Sequence, residues 1–287
     1  MKYLEKAFNF FGKYYLLAIP LFIAIVIPSI IGVALGLPQK TKELSDLITQ
    51  NPAMFQSNPW EYMGVSQSLF PIYGIMSVAS FILMIIAYPS TYGMVSKALS
   101  TGNADLGDFL PELKKNIGKY ILYGLSLLAI YFGIGIAATI LFVILGVVTV
   151  ASRVIGILLI VLFVLAFIAF LLAFAFLTAL WFASMVDDGL GVVDGFKKSF
   201  SVAKSYFWSI VGISLLVWIG SAFGGGILSG IFSFIPVISY TFSSGVSALA
   251  QFILIVFYFE VYRDKTGKND YMVENQNPIS ETPGDYL

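Results

Sequence analysis

From the amino end onward, long apolar blocks alternate with short polar ones. Six of the blocks are long enough to cross a bilayer, at about 14–37, 69–96, 120–150, 154–184, 205–234 and 237–262. The fourth is the plainest: 157–183 contains no charge and a single Thr. A run of roughly 20 apolar residues spans the hydrocarbon core as a helix. Barrel strands would alternate over about ten residues, and no such alternation occurs. The pattern therefore predicts an all-α, polytopic transmembrane bundle of about six spans. Pro20, Pro28, Pro71 and Pro89 are its candidate kink sites, because each lacks a backbone donor.

Three of the polar blocks resemble one another. Tyr3-Leu4-Glu5-Lys6-Ala7-Phe8-Asn9-Phe10-Phe11-Gly12-Lys13-Tyr14 leads into the first span. Phe109-Leu110-Pro111-Glu112-Leu113-Lys114-Lys115-Asn116-Ile117-Gly118-Lys119-Tyr120 leads into the third, and Gly195-Phe196-Lys197-Lys198-Ser199-Phe200-Ser201-Val202-Ala203-Lys204-Ser205-Tyr206 into the fifth. Each is a short amphipathic stretch that closes on Lys and an aromatic residue. The predicted unit is a helix lying in the headgroup layer, apolar face down, with a snorkelling Lys at the junction. Asp108 and Asp194 are placed to cap the second and third copies. Three units follow, 1–96, 97–184 and 185–263, within one membrane domain 1–263. A polar tail, 264–287, is expected to be disordered.

Charge position adds orientation. Thirteen of the 16 Lys and Arg fall in the amino terminus, the segments after spans two and four, and the tail. Only Lys40, Lys42 and Arg153 lie on the other side. The excess of basic residues marks the cytoplasmic side, so both termini are expected there, with the protein in the cell membrane. A cleaved signal peptide ending near Ala34-Leu35-Gly36 is the competing reading; the stretch 14–37 is too long for it. The segment 38–68 faces outward, with Leu44, Leu47 and Ile48 at helical spacing. Met54, Phe55, Trp60, Tyr62 and Met63 follow as expected interface contacts.

Composition agrees: 59% of the 287 residues are hydrophobic and 11% charged, too few to cover a water-facing globule. Acids and bases balance at 16 each, so no nucleic-acid partner is expected. The absence of Cys and His removes thiolate and imidazole chemistry. Spans one to five contain no ionisable residue except Tyr, which leaves no intramembrane acid, base or metal ligand set. Glu260 and Arg263 are expected to pair on the surface of span six. Asp187-Asp188 is expected to be a helix end. No catalytic residue, metal or cofactor is predicted.

Candidate binding positions are therefore interfacial or helix-packing ones. Lys13, Lys119 and Lys204 with Tyr14, Tyr120 and Tyr206 form the candidate headgroup sites. Tyr240, Ser244, Ser247 and Gln251 form a polar stripe on span six, continued by Tyr258 and Tyr262. Its simplest use is helix packing, and its sharper one a polar pathway. Gly32 and Gly36, Gly220 and Gly224, and Gly226 and Gly230 have close-packing spacing. Gly224-Gly225-Gly226 also permits an unwound break.

Asp194-Gly195-Phe196-Lys197-Lys198-Ser199-Phe200, the following Lys204-Ser205-Tyr206-Phe207-Trp208, and the ending Phe257-Tyr258-Phe259-Glu260-Val261-Tyr262-Arg263-Asp264 resemble the membrane-domain family of glycerophosphodiester phosphodiesterases and related six-span prokaryotic proteins. That resemblance implies a membrane module. It does not carry the phosphodiesterase activity, because the chain has no His and no position matching a catalytic residue. The expectation is a non-catalytic protein that binds membrane lipids, or scaffolds another membrane protein or a second copy of itself. The alternative is a permease or channel without an intramembrane carboxylate.

Overall fold

A computed structural model describes residues 2–50 and 61–268. Among these residues the regular elements are helical, with no strand. They are α1 (Lys2–Tyr14), a 3-10 turn (Tyr15–Ala18), α2 (Ile19–Ala34), α3 (Leu37–Gln50), α4 (Glu61–Thr101), a second 3-10 turn (Leu106–Asp108), α5 (Phe109–Ala151), α6 (Arg153–Leu177), α7 (Trp181–Asp187), α8 (Val192–Ile231) and α9 (Pro236–Lys265). Six helical stretches are long and apolar enough to cross a membrane: Lys2–Ala34, Gln67–Thr101, Leu106–Ala151, Arg153–Asp187, Val192–Ile231 and Pro236–Lys265. The protein is a multi-pass membrane protein. Its outward faces are as apolar as its centre: Leu128 and Phe132 are 70% exposed and Val150 is 90% exposed. A lipid bilayer accommodates such a surface.

The spans close into a ring in which α2 packs on α4, α4 on α5, α5 on α6, α6 on α8, α8 on α9 and α9 back on α2. α9 is the most enclosed, with Phe252, Val256, Phe257, Phe259 and Tyr262 shut off from solvent. α6 lies at the rim. Its chain turns inward at Thr178–Leu180, and the short α7 then touches α4, α5, α8 and α9. Every residue of α7 from Trp181 to Val186 is buried. α7 therefore fills the centre of one end of the ring. Tyr3 donates to Asp264 there, so the first and last described helices meet at this end, called the terminal face below.

Backbone breaks mark where amphipathic helix becomes span. Tyr14 (φ −123°, ψ 33°) separates α1 from the first 3-10 turn. Tyr206 (φ −119°, ψ 15°) interrupts α8 with nearly the same geometry. α5 runs through Tyr120 as one helix. Each helix returning to the terminal face is followed by a glycine with positive φ: Gly102 (70°), Gly189 (68°) and Gly267 (72°). A left-handed residue after a helix end favours Gly.

Several expectations change. Asp194 is the third residue of α8, which starts after Gly191, so it caps nothing. Asp108 precedes α5 without a side-chain cap bond; with Asp105 it closes a capping box on the short turn 106–108. Gly224-Gly225-Gly226 stays helical and does not unwind. Pro20 lies in the first turn of α2, where its missing N–H costs nothing, while Pro28, Pro71 and Pro89 lie inside continuous helices. Residues 264–268, assigned to the tail, are among the described residues, and Lys268 reaches Asp187 and Asp188. The rest of the tail and Met54, Phe55 and Trp60 lie outside the described residues, as do the side chains of Tyr62 and Met63. The amphipathic segment expected on the outer side is α3, whose Leu37 and Leu44 pack with Leu69, Ile72 and Tyr240.

Candidate functional site

The polar residues gather on the terminal face, and most of them serve packing. Along α1, Leu4, Ala7 and Phe10 recur at helical spacing and are buried, with α9 as the main partner of this helix. In the first half of α8, Gly195, Ser199, Val202 and Ala203 do the same. At Gly195 an added Cβ would sit 2.6 Å from Met185 Cγ, so the close approach to α7 needs glycine. These positions of both amphipathic segments thus lie against the protein, while Phe8 and Phe200 remain exposed.

The centre of this face is an ion-pair cluster that sequence reasoning missed. Asp187 has a fully buried side chain at the end of α7. Its Oδ1 accepts from Arg263 Nε (3.0 Å), Arg263 Nη2 (2.5 Å) and Ser96 Oγ (2.9 Å), and its Oδ2 accepts from Lys268 Nζ (2.9 Å). Arg263 also donates to the Ser96 carbonyl (3.2 Å) and to Ser100 Oγ. Asp188 accepts from Tyr262 OH (2.6 Å) and Lys268. Burial works against the charge on Lys268, but hydrogen bonds to Asp188 and Asp187 outweigh it and hold the ammonium above the ordinary lysine range. The expected Glu260–Arg263 pair does not form. Glu260 faces Lys6 at 3.3 Å instead. Nothing in the local pattern revealed this, because the partners are far apart in sequence. The only cue was an acidic pair ending one apolar block and an Arg ending another.

Other cations are also paired. Lys97 bonds Asp108 at 2.5 Å, Lys115 lies 3.6 Å from Glu112, and Lys2 lies 4.0 Å from Asp264. The three junction lysines fare differently. Lys13 lies over the Tyr14 ring, 4.9 Å from its centre. Lys119, half-buried, donates to the Met185 carbonyl at 2.9 Å. Lys204 is exposed and lines an open pocket of about 450 Å³ between α6 and the α8 break.

The junction tyrosines separate too. Tyr14 donates to the Gly102 carbonyl (2.5 Å). Tyr120 belongs to the aromatic centre, stacked on Tyr88 with ring centres 5.8 Å apart and edge-on to Phe182 at 5.2 Å. Tyr206 lies 3.2 Å from the Tyr3 hydroxyl and beneath the Lys265 ammonium. The structure does not bring the six candidate residues into one site.

Most of the stripe on α9 is used between helices. Ser244 bonds Ser29 of α2 (2.6 Å) and Tyr88 of α4 donates to Gln251 (3.2 Å). Ser247 bonds back to the Ser243 carbonyl (3.2 Å), Tyr258 bonds Ser214 (3.2 Å), and Tyr240 joins the α3–α4 apolar cluster. Among the described residues no group of three or more His, Cys, Asp or Glu is arranged to hold a metal ion.

No curated protein and no solved structure matched the chain. One family model did, over residues 47–261, and its description carries no link to the glycerophosphodiester phosphodiesterase membrane domains. With that match covering most of its length, the chain belongs to the DUF7847 family, a domain of unknown function.

Proposed function

We propose that this protein is a non-catalytic module of the cell membrane that binds anionic lipid at its terminal face, with that face in the cytoplasm. The observation that carries the reading is on the first half of α8. Lys197, Lys198 and Lys204 are exposed there and form no ion pair among the described residues, and exposed Phe200 and Trp208 accompany them. Elsewhere on this face carboxylates pair with Lys2, Lys6, Lys97, Lys115 and Lys268, while Lys13, Lys114 and Lys265 are exposed without an ion pair among the described residues. Basic residues beside an anionic leaflet gain about 1 kcal/mol each, and exposed aromatics favour the same depth. The excess of Lys and Arg supports the orientation. The pathway reading of the α9 stripe loses its support, since Ser244 and Gln251 bond to neighbouring helices. The likeness of 194–208 and 257–264 to the phosphodiesterase membrane domains supports a shared membrane module, without the reaction. The matching breaks at Tyr14 and Tyr206 and the three glycines of positive φ support an origin in three repeated units.

The test is lipid selection from bilayers of mixed phosphatidylglycerol and phosphatidylcholine. The wild-type protein is expected to enrich phosphatidylglycerol, and Lys197→Gln/Lys198→Gln/Lys204→Gln to lose that enrichment. Equal lipid composition around both proteins would overturn the proposal.

A further inference from the structure

We infer that the pocket at the Tyr206 break is a discrete site for the phosphodiester of one anionic glycerophospholipid, and that the other two Lys-aromatic junctions are not such sites. This inference rests on the lipid-binding reading above and narrows it to one position and one bound molecule. Three junctions share the sequence pattern, but their cations are placed differently. Lys13 is exposed over the ring of its neighbour Tyr14, and Lys119 is bonded to the Met185 carbonyl. Among the described residues Lys204 has neither an ion pair nor a hydrogen bond, and it lines an open pocket of about 450 Å³. Ser205 and Ser209 line the same pocket, and neither hydroxyl has a partner among the described residues. No acidic residue lines it. An ammonium with two free hydroxyls matches the charge and acceptor oxygens of a phosphodiester. Ala173 and Leu177 of α6 and Trp208, 81% exposed, supply apolar walls beside these groups. The pocket lies where α8 changes from amphipathic helix to span, the depth at which a lipid presents both its phosphate and its first methylenes. That pairing of polar and apolar walls favours a membrane lipid over free phosphate.

Native mass spectrometry of the full chain, released from mixed phosphatidylglycerol and phosphatidylcholine bilayers, tests this. One phosphatidylglycerol is expected to survive stepwise delipidation. Lys204→Gln should weaken it about tenfold, the scale of one lost charge-assisted hydrogen bond, and Ser205→Ala/Ser209→Ala should weaken it less. Lys13→Gln should leave it in place. An unchanged adduct in Lys204→Gln, while Lys197→Gln/Lys198→Gln lowers total enrichment, overturns the pocket and leaves the lipid-binding reading standing. A wild-type protein with no phosphatidylglycerol enrichment overturns both. With inorganic phosphate added, a phosphate adduct that Lys204→Gln removes, with no phosphatidylglycerol adduct sensitive to that substitution, overturns the lipid as occupant.

Discussion

Arg263 donates from both Nε and Nη2 to a single oxygen of Asp187, 76 residues earlier in the chain. The other oxygen of that carboxylate holds Lys268. One acid thus joins the end of α9 to the end of α7, and Arg263 carries the link on to Ser96 and Ser100 of α4. Removing one member of a buried pair strands the other charge, at a cost of about 3–5 kcal/mol. Asp187→Asn is therefore expected to lower the thermal midpoint of the detergent-solubilised protein sharply. Arg263→Lys should also lower the midpoint, because an ammonium lacks the two-donor fork. A midpoint unchanged in Asp187→Asn would remove the cluster from the account of stability.

Lys268 adds a dependence on pH. The folded protein holds its proton more tightly than the unfolded chain, so the contribution is complete below the ordinary lysine value of 10.5 and is lost as pH rises through the higher folded value. Denaturation measured from pH 7 upward should show a plateau followed by a fall above the lysine range. Lys268→Met should start lower and show a smaller fall.

Two glycines should behave oppositely. A Cβ on Gly156 would lie 2.3 Å from Thr149 Cα, a backbone atom of the partner helix in the tight α5–α6 hairpin. Gly156→Ala is expected to destabilise by about 1–3 kcal/mol through overpacking. Gly226 has no atom within 4 Å of its added Cβ, so Gly226→Ala should be neutral or gain up to about 1 kcal/mol from helix propensity. Thermal midpoints of the two variants side by side settle the contrast.

The bond between Ser29 and Ser244 joins the first and last spans. Hydrogen bonds between membrane helices average about 0.6 kcal/mol. A double-mutant cycle with Ser29→Ala and Ser244→Ala should return a coupling of that size. A coupling near zero would mean that apolar contact alone holds α2 to α9.

The proposed orientation is open to labelling, since the chain contains no Cys. Ser201→Cys in α8 should react with an impermeant maleimide only after the membrane is opened. Asp46→Cys in α3 should react in intact cells. The reverse pattern would invert the orientation and place the Lys-rich face outside.

The number and helical nature of the spans were legible in the sequence because they follow from a local requirement. A long apolar run in lipid satisfies its own backbone only as a helix, and six such runs are present. The helix breaks at two of the three Lys-aromatic junctions, Tyr14 and Tyr206, and runs unbroken through the third, Tyr120. What the residues at those junctions do was decided by neighbours remote in sequence. Lys119 meets a carbonyl 66 residues away, and Tyr120 stacks on Tyr88. Glu260 turns from nearby Arg263 to Lys6, and Asp187 becomes the centre of the terminal face because α7 bends into the ring. Periodicity and composition report the solvent that each segment meets. Pairing between segments depends on which helix ends the closed ring brings together, and only the tertiary structure determines that.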